Sequence, residues 1–277
     1  MEGRNCLIVG GTSGIGLASA RRFLEEGAKV VIAGLDPAVA EPRTAPGPLA
    51  TGVVDALASL GPCGGWSLDA SDPRALGVLF EEATAFFGGR LDVLFQVAGI
   101  SGRKSGDGPL HECTDSGWDR VMEVNARGTF LANREAARVM LRQEPDDAGL
   151  RGTVLNVGSV LSPSPSPDLF GTYAYTASKG AIEAMTRTAA ARYARDRIRF
   201  NLLVPGLIDT PMATRAVQDP RIREYLKAKQ PLSGGPGTAE DCAEAALFLC
   251  EPASRFVTGA VLTVDGGWCV SEGGGTP

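Results

Sequence analysis

Two residues of the stretch Tyr173-Ala-Tyr-Thr-Ala-Ser-Lys-Gly180, Tyr175 and Lys179, have the types and spacing for proton chemistry. Four residues apart on a helix, they lie one above the other on the same face. A free phenol titrates near ~10, too high for easy proton exchange at neutral pH. An ammonium ~5 Å away, at an effective dielectric of ~20, favours the phenolate by roughly 3 kcal/mol, or about two pK units. That shift brings the phenol toward the range in which a general acid or base works best. Ser159 follows the apolar run Val154-Leu-Asn-Val157 and offers a hydroxyl to hold a carbonyl or alcohol oxygen. Together the three residues point to proton transfer at a substrate oxygen. The spacing alone also fits an aromatic–lysine pair on a solvated helix, so the elements around it must decide.

The N-terminus runs Cys6-Leu-Ile-Val-Gly-Gly-Thr-Ser-Gly-Ile-Gly16 into a helical stretch from Leu17 to Glu26. An apolar strand thus enters a glycine-rich turn and a helix leaves it. Such a turn lets helix N–H groups face a pyrophosphate. The spacing Gly10-xxx-Gly14-x-Gly16 differs from the general GxGxxG fingerprint. Lys29-Val-Val-Ile-Ala33 reads as the next strand. Strands and helices alternate from there on, predicting an α/β fold: a Rossmann-type, doubly wound parallel sheet with helices on both faces, in one domain over 1–277.

In order and over nearly the whole length, these motifs resemble the short-chain dehydrogenases/reductases. Gly10, Thr12, Ser13, Gly14, Ile15 and Gly16 are similar to that family's TGxxxGxG turn. Asp69-Ala70 resembles its adenine-contacting acidic pair, and Gln96-Val-Ala98-Gly99 its NNAG strand end. The resemblance implies that Asn125 supports a proton-relay water, and that Ser159, Tyr175 and Lys179 are its Ser and YxxxK residues. Pro205, Gly206, Ile208 and Thr210 resemble the PGxxxT segment beside the nicotinamide, and Val264-Asp-Gly-Gly267 the closing strand and turn. Hydride transfer between a nicotinamide and a secondary alcohol or ketone of a small molecule is the implied activity. Lys179 would also hold the nicotinamide ribose.

Three departures stand out. Val9 replaces the usual Thr, and Gln96-Val97 replace two Asn, which suggests an apolar substitute for a polar tie between the first and fourth strands. The interval from Ser159 to Tyr175 is longer than usual and carries Leu161-Ser-Pro-Ser-Pro-Ser-Pro167. Its prolines predict a semi-rigid loop, either bordering the substrate mouth or inserted at the surface without function. The second strand ends Gly34-Leu-Asp36, with neither the Asp usual in NAD-binding members at 34 nor a basic residue at 35 or in the turn. Asp36 reaching the ribose would favour NAD over NADP, although Asp before Pro37 is also a common turn residue.

At 277 residues, with 44% apolar content and mean hydropathy of +0.02, the chain can bury a large core without staples. No apolar run reaches the ~18 residues of a membrane span. The first strand begins almost at once, leaving no room for a signal peptide, so a cytoplasmic protein is expected. A net charge of −5 and a pI near 5.1 argue against a nucleic-acid partner. The cluster from Arg192 to Arg199 reads as a solvated helix end. The six cysteines lie far apart, no zinc-ligand spacing occurs, and the single His, at 111, reads as a surface residue; no metal is expected. Cys6, Cys242 and Cys250 read as small core residues, while Cys269, near the C-terminus, has room for exposure but nothing nearby to activate it.

The segment from Asp36 to Gly65, rich in proline, reads as a surface excursion around one helix from Leu49 to Leu60. Residues 210–237 resemble the family's substrate lobe, with Met212, Val217, Ile222, Tyr225 and Leu226 placed either to close over a substrate or to pack the lobe on the sheet. Residues 271–277 read as a frayed tail. The resemblance also implies a homo-oligomer, tetramer or dimer, with the helices of Asn125 and Tyr175 at the interface. Two rival functions remain. An NADPH-dependent 3-ketoacyl-carrier reductase would want a basic docking face, for which Arg103, Lys104, Arg127 and Arg134 are candidates; a catalytically dead cofactor-binding sensor would bind without turnover.

Overall fold

The protein is described by a computed structural model over residues 1–35, 47–49 and 52–272. The elements run β1 (Asn5–Val9), α1 (Gly14–Glu25), β2 (Lys29–Gly34), β3 (Gly47–Pro48), α2 (Val53–Ala58), β4 (Cys63–Ser67), α3 (Pro73–Phe86) and β5 (Val93–Gln96). Then come α4 (Asp115–Val121), a π-turn over Met122–Arg127, α5 (Gly128–Met140), β6 (Gly152–Val157), α6 (Pro167–Phe170) and α7 (Tyr173–Tyr193). β7 (Ile198–Pro205), α8 (Thr214–Gln218), α9 (Pro220–Lys229), α10 (Ala239–Cys250) and β8 (Val261–Val264) complete the chain.

The strands form one sheet in the order β3-β4-β2-β1-β5-β6-β7-β8, parallel except for the short edge strand β3. The order reverses at β1, with β2 on one side and β5 on the other, and ligands of open α/β sheets bind in the crevice above such a point. Both faces are covered. Ala20, Phe23 and Leu24 of α1 pack with Cys242, Ala246 and Leu249 of α10 against Ile8, Ile32 and Phe95. On the other face Leu76 of α3, Ala132 and Ala136 of α5 and Ala190 of α7 meet Leu7, Val31, Leu94 and Val154. A strand buried on both faces must be apolar at every position, which explains the run from Cys6 to Val9.

Helix ends are fixed by local chemistry. Asp72 accepts from the N–H groups of Arg74 (2.8 Å) and Ala75 (3.4 Å) with Pro73 behind it, and Thr238 and Asp241 cap α10 reciprocally. The tie between β1 and β5 is made by backbone: the Val9 carbonyl accepts from Val97 (2.8 Å) and Ala98 (2.9 Å). Val9 is buried in the core as an apolar substitute would be. Gln96 is buried too, but neither atom of its amide has a hydrogen-bond partner among the described residues.

Three expectations change. The helix expected from Leu49 to Leu60 is the shorter α2, because Leu49 is drawn to the sheet edge, its N–H donating to Gly65. Cys63-Gly-Gly-Trp-Ser67, read as irregular at its start, is strand β4, held by its register on β2. Arg199 is no solvated helix residue; it is buried in β7, and its guanidinium donates to the carbonyls of Leu249 (2.9 Å) and Val257 (3.1 Å). The Arg192–Asp196 pair at 2.7 Å does sit on an exposed helix end. Cys6, Cys242 and Cys250 are buried, Cys269 is half-buried and not exposed, and His111 is exposed. Among the described residues no helix is long and apolar enough to cross a membrane. The tail beyond Glu272 lies outside the described residues, whereas Ser271 is fixed, its carbonyl accepting from Lys229 Nζ at 2.7 Å.

Candidate active site

The crevice at the β1/β5 switch is a cleft of about 500 Å³. A larger hollow, about 740 Å³ over Ser116–Arg127, is wide open on the outer surface and is lined partly by side chains already engaged in ion pairs. At the cleft, Gly10 has φ +92°, and a Cβ there would lie 2.5 Å from the Ala98 nitrogen. A Cβ on Gly16 would strike the Gly10 carbonyl. Only glycine lets the turn fold this close to the end of β5. Ser13 is extended and makes no side-chain cap, so the first N–H groups of the twelve-residue α1 stay open toward the cleft, where Ser13, Gly14 and Ile15 line the wall. Thr210 lies across Gly14 on the opposite side.

Gly34 and Leu35 line the far end, with Thr12 Oγ1 donating to the Leu35 carbonyl at 3.3 Å. Asp36, the expected ribose ligand, lies outside the described residues. Asp69 and Ala70 line the same cleft. Burial alone would raise the Asp69 carboxyl, but bonds from Ser71 and the nearby Arg120 guanidinium outweigh it and hold the group low. Ala98, Gly99, Pro205, Gly206 and Ile208 complete this part of the wall. A glycine cradle that a Cβ would fill, an uncapped helix start and a long cleft together fit a dinucleotide.

Ser159, Tyr175 and Lys179 stand on one stretch of the cleft wall. Lys179 is buried; its Nζ donates to the Val157 carbonyl at 2.9 Å and sits 5.6 Å from the centre of the Tyr175 ring. Burial lowers the ammonium to about 8. The phenol corrects the expectation from spacing. Burial raises Tyr175 above the ordinary phenol range, and the Ser159 hydroxyl opposes that rise. The lysine lies over the ring face and is bound to a carbonyl, and it is burial, not the charge expected from spacing, that sets the net direction for the phenol.

Asn125 is not on the cleft wall. Fully buried in the π-turn, its Oδ1 accepts from the Ile100 N–H (2.8 Å), and its Nδ2 donates to the Ile100 carbonyl (3.0 Å) and Ser178 Oγ (3.0 Å). Ser178 Oγ in turn donates to the Tyr175 carbonyl at 2.7 Å. A Cβ on Gly99 would come within 3.1 Å of Asn125 Oδ1 and 3.7 Å of Lys179 Nζ, so the bare backbone at 99 is what brings the two together. A π-turn inside a helix often marks a functional site, because it re-aims backbone groups.

The loop after Ser159 borders the cleft, as one of its two readings held. Leu161 and Phe170 line it, and the Ser164 carbonyl accepts from Trp268 Nε1 at 3.0 Å. Trp268 is buried between the rings of Phe170 and Tyr225, 5.7 and 5.6 Å away, and forms an apolar wall. In the lobe after Thr210 only Met212 of the named residues faces the cleft. Ile222 and Leu226 are core, and Tyr225 packs on Trp268.

Sequence reasoning missed Asp107. The first turn of α7 has no side-chain cap from Thr172; instead buried Asp107 accepts from the N–H groups of Ala174 (3.0 Å) and Tyr175 (2.9 Å). Sixty-seven residues separate Asp107 from Ala174, so no local pattern signals the cap. Gln230 was missed for the same reason: its amide accepts from Leu207 N–H (2.6 Å) and donates to the Leu207 carbonyl (3.2 Å), fixing the segment after β7.

Residues 9–269 match the family model described as Enoyl-(Acyl carrier protein) reductase. The chain is 35% identical over 269 residues to the cis-4-hydroxycyclohexanecarboxylate dehydrogenase of Sinomonas cyclohexanicum, covering 96% of each chain. It is 38% identical over 264 residues to 2-(S)-hydroxypropyl-CoM dehydrogenase 3 of Xanthobacter autotrophicus, covering 94% of each. A short-chain type dehydrogenase/reductase from Mycobacterium ulcerans superimposes with a TM-score of 0.85 at 28% identity, over 99% of this chain and 92% of that one. With its parallel sheet, glycine turn and Tyr–Lys pair in one cleft, the chain belongs to the short-chain dehydrogenase/reductase family of NAD(P)-dependent oxidoreductases.

Proposed function

We propose that this oxidoreductase interconverts a secondary alcohol and its ketone on a small, partly apolar molecule, with NAD as the favoured cofactor and Tyr175 as proton donor and acceptor. The observation that carries this reading is the placing of Ser159, Tyr175 and Lys179 on the wall of the same cleft that begins at the glycine turn. Bound nicotinamide supplies or takes the hydride at the substrate carbon. In reduction, the Tyr175 hydroxyl gives its proton to the carbonyl oxygen, and Ser159 holds that oxygen in place. Lys179 keeps a positive charge against the ring as the phenol gives up its proton, and Asn125 fixes the backbone beside it.

The dinucleotide would lie on Gly10, Thr12 to Gly16, Asp69, Ala70, Ala98, Gly99 and the 205–210 segment, with Asp36 toward the ribose. Toward the Leu35 end the basic side chain on the cleft wall, Arg120, is already paired with Asp69 at 3.3 Å, which supports NAD over NADP. Two dehydrogenases that resemble the chain are named for cis-4-hydroxycyclohexanecarboxylate and 2-(S)-hydroxypropyl-CoM, which supports a compact hydroxylated substrate. The reading expects one domain over 1–277, working as a cytoplasmic homo-oligomer.

The test is absorbance of reduced nicotinamide on mixing the protein with NAD⁺ or NADP⁺ and a panel of secondary alcohols, sugars and cyclic diols. Turnover with NAD⁺ and cyclic alcohols is expected. Cofactor binding without turnover of any alcohol or ketone would defeat the proposal and favour a binding protein.

A further inference from the structure

We propose that Arg103 and Arg215 form an anion subsite at the substrate end of the cleft, and that the alcohol or ketone carries a carboxylate or similar oxyanion. The inference rests on the dehydrogenase reading above for which end of the ligand reacts. Arg103 stands on the turn Arg103–Ser105 that follows β5, and Arg215 stands on α8; both line the cleft.

The other charged groups of the cleft are already engaged. Asp69 pairs with Arg120 at 3.3 Å, and Lys179 donates to the Val157 carbonyl at 2.9 Å. Among the described residues neither Arg103 nor Arg215 takes part in an ion pair. Arg103 makes one side-chain hydrogen bond, Nη2 to the Leu169 carbonyl at 3.3 Å, and the Arg215 guanidinium makes none. The carboxylate whose charge acts on Arg103 is Asp107, and both its oxygens are held by the N–H groups of Ala174 and Tyr175.

Burial lowers the proton affinity of Arg103, and the neighbouring Arg215 charge lowers it further. The two exposed guanidiniums repel each other, and the one carboxylate that offsets this at Arg103, Asp107, already has both oxygens bonded to N–H groups. An oxyanion between them removes that repulsion and accepts the planar N–H forks, an arrangement suited to arginine. A cofactor 2′-phosphate is not the natural occupant. It belongs beside Gly34 and Leu35 on the β2 side of β1, whereas Arg103 follows β5 on the other side. The same cleft wall carries the apolar side chains of Leu161, Phe170 and Trp268. The ligand that fits has an oxidisable carbinol, a hydrocarbon body and an anionic end.

Two matched pairs test this. Calorimetry on the protein–NADH complex compares cyclohexanecarboxylate with cyclohexanecarboxamide, and kinetics compare 4-oxocyclohexanecarboxylate with 4-oxocyclohexanecarboxamide. Charged hydrogen bonds predict a preference for the carboxylate of roughly tenfold to a hundredfold in both. The preference should collapse toward one in the R103Q/R215Q double variant and persist in Lys104→Gln, whose side chain is charged but off the cleft wall. Equal binding of acid and amide would overturn the subsite. So would a double variant that loses NADH affinity while keeping its acid preference, since that puts the guanidiniums on the cofactor. Carboxylate preference in binding, with turnover of neither ketone, would uphold the subsite and defeat the ring-ketone reading of the function.

Discussion

Tyr175 and Lys179 share one face of α7, and burial acts on them in opposite senses, raising the phenol and lowering the ammonium to about 8. The pair therefore rests at neutral pH as neutral phenol and charged ammonium, the proton-donating state. Alcohol oxidation needs the phenol deprotonated, so its kcat/KM should climb through the alkaline range, while ketone reduction stays level near neutral pH. A pH profile of oxidation that is flat from 7 to 10 would contradict this. Tyr175→Phe should bind cofactor normally and lose ~10²- to 10⁴-fold in turnover, the usual weight of one acid–base group. Lys179 also carries a stability cost. Its folded value is about 8 against 10.5 for the free side chain, so below pH 8 the buried charge opposes folding, and the cost fades as pH rises to 10.5. At ~1.4 kcal/mol per pK unit this is about 3 kcal/mol, less about 1 kcal/mol for the bond to Val157. Lys179→Met should then melt higher than the parent at pH 7 and lose that advantage near pH 10, while losing turnover. The spacing made the pair legible in the sequence. The sign of the phenol shift was not, because it depends on what buries the ring and where Nζ points.

At the scale of elements, the site depends on three approaches: the glycine turn against β5, the π-turn against Gly99, and α7 against the loop after β5. The first was legible, because glycines at 10, 14 and 16 between a strand and a helix have few other uses. The third was hidden, because Asp107 and Ala174 are far apart in the chain. The loss of β4 from the sequence reading has the same origin. Cys63-Gly-Gly-Trp-Ser67 has little strand propensity of its own, and its register on β2 makes it a strand. Asp107→Ala should remove the acceptor for two N–H groups and cost about 1–2 kcal/mol in stability, as loss of a helix cap does. If Asp107 positions Tyr175, kcat should fall at least tenfold with cofactor affinity unchanged, and Asp107→Asn, which keeps one acceptor oxygen, should recover part of it. Equal losses in kcat and in cofactor binding would reduce Asp107 to a general stabiliser of the fold.

For the whole molecule, the parallel sheet and its two helical layers followed from alternation of elements, but neither the strand order nor the surface follows from such patterns. Whether an apolar residue faces core or solvent is set by how the helices roll on the sheet. Trp118 on α4, Phe130 on α5 and Tyr173 at the start of α7 remain 41%, 48% and 41% exposed, and Arg134 lies over the Phe130 ring at 5.6 Å. These helices flank the π-turn of Asn125, so the apolar residues lie on the elements that hold the site. Large aromatic side chains left on neighbouring helices fit an interface better than an isolated surface. If copies associate there, burying α4 and α5 would also brace the π-turn and the base of α7, and assembly would support catalysis. Phe130→Glu places a charge in that contact and leaves the core untouched. Light scattering should show the parent as a multiple of 28.8 kDa and the variant as a smaller species. Turnover of the variant should then fall with dilution more steeply than that of the parent. A parent that scatters as a single 28.8 kDa chain at micromolar concentration would sink the interface and the link from assembly to catalysis together.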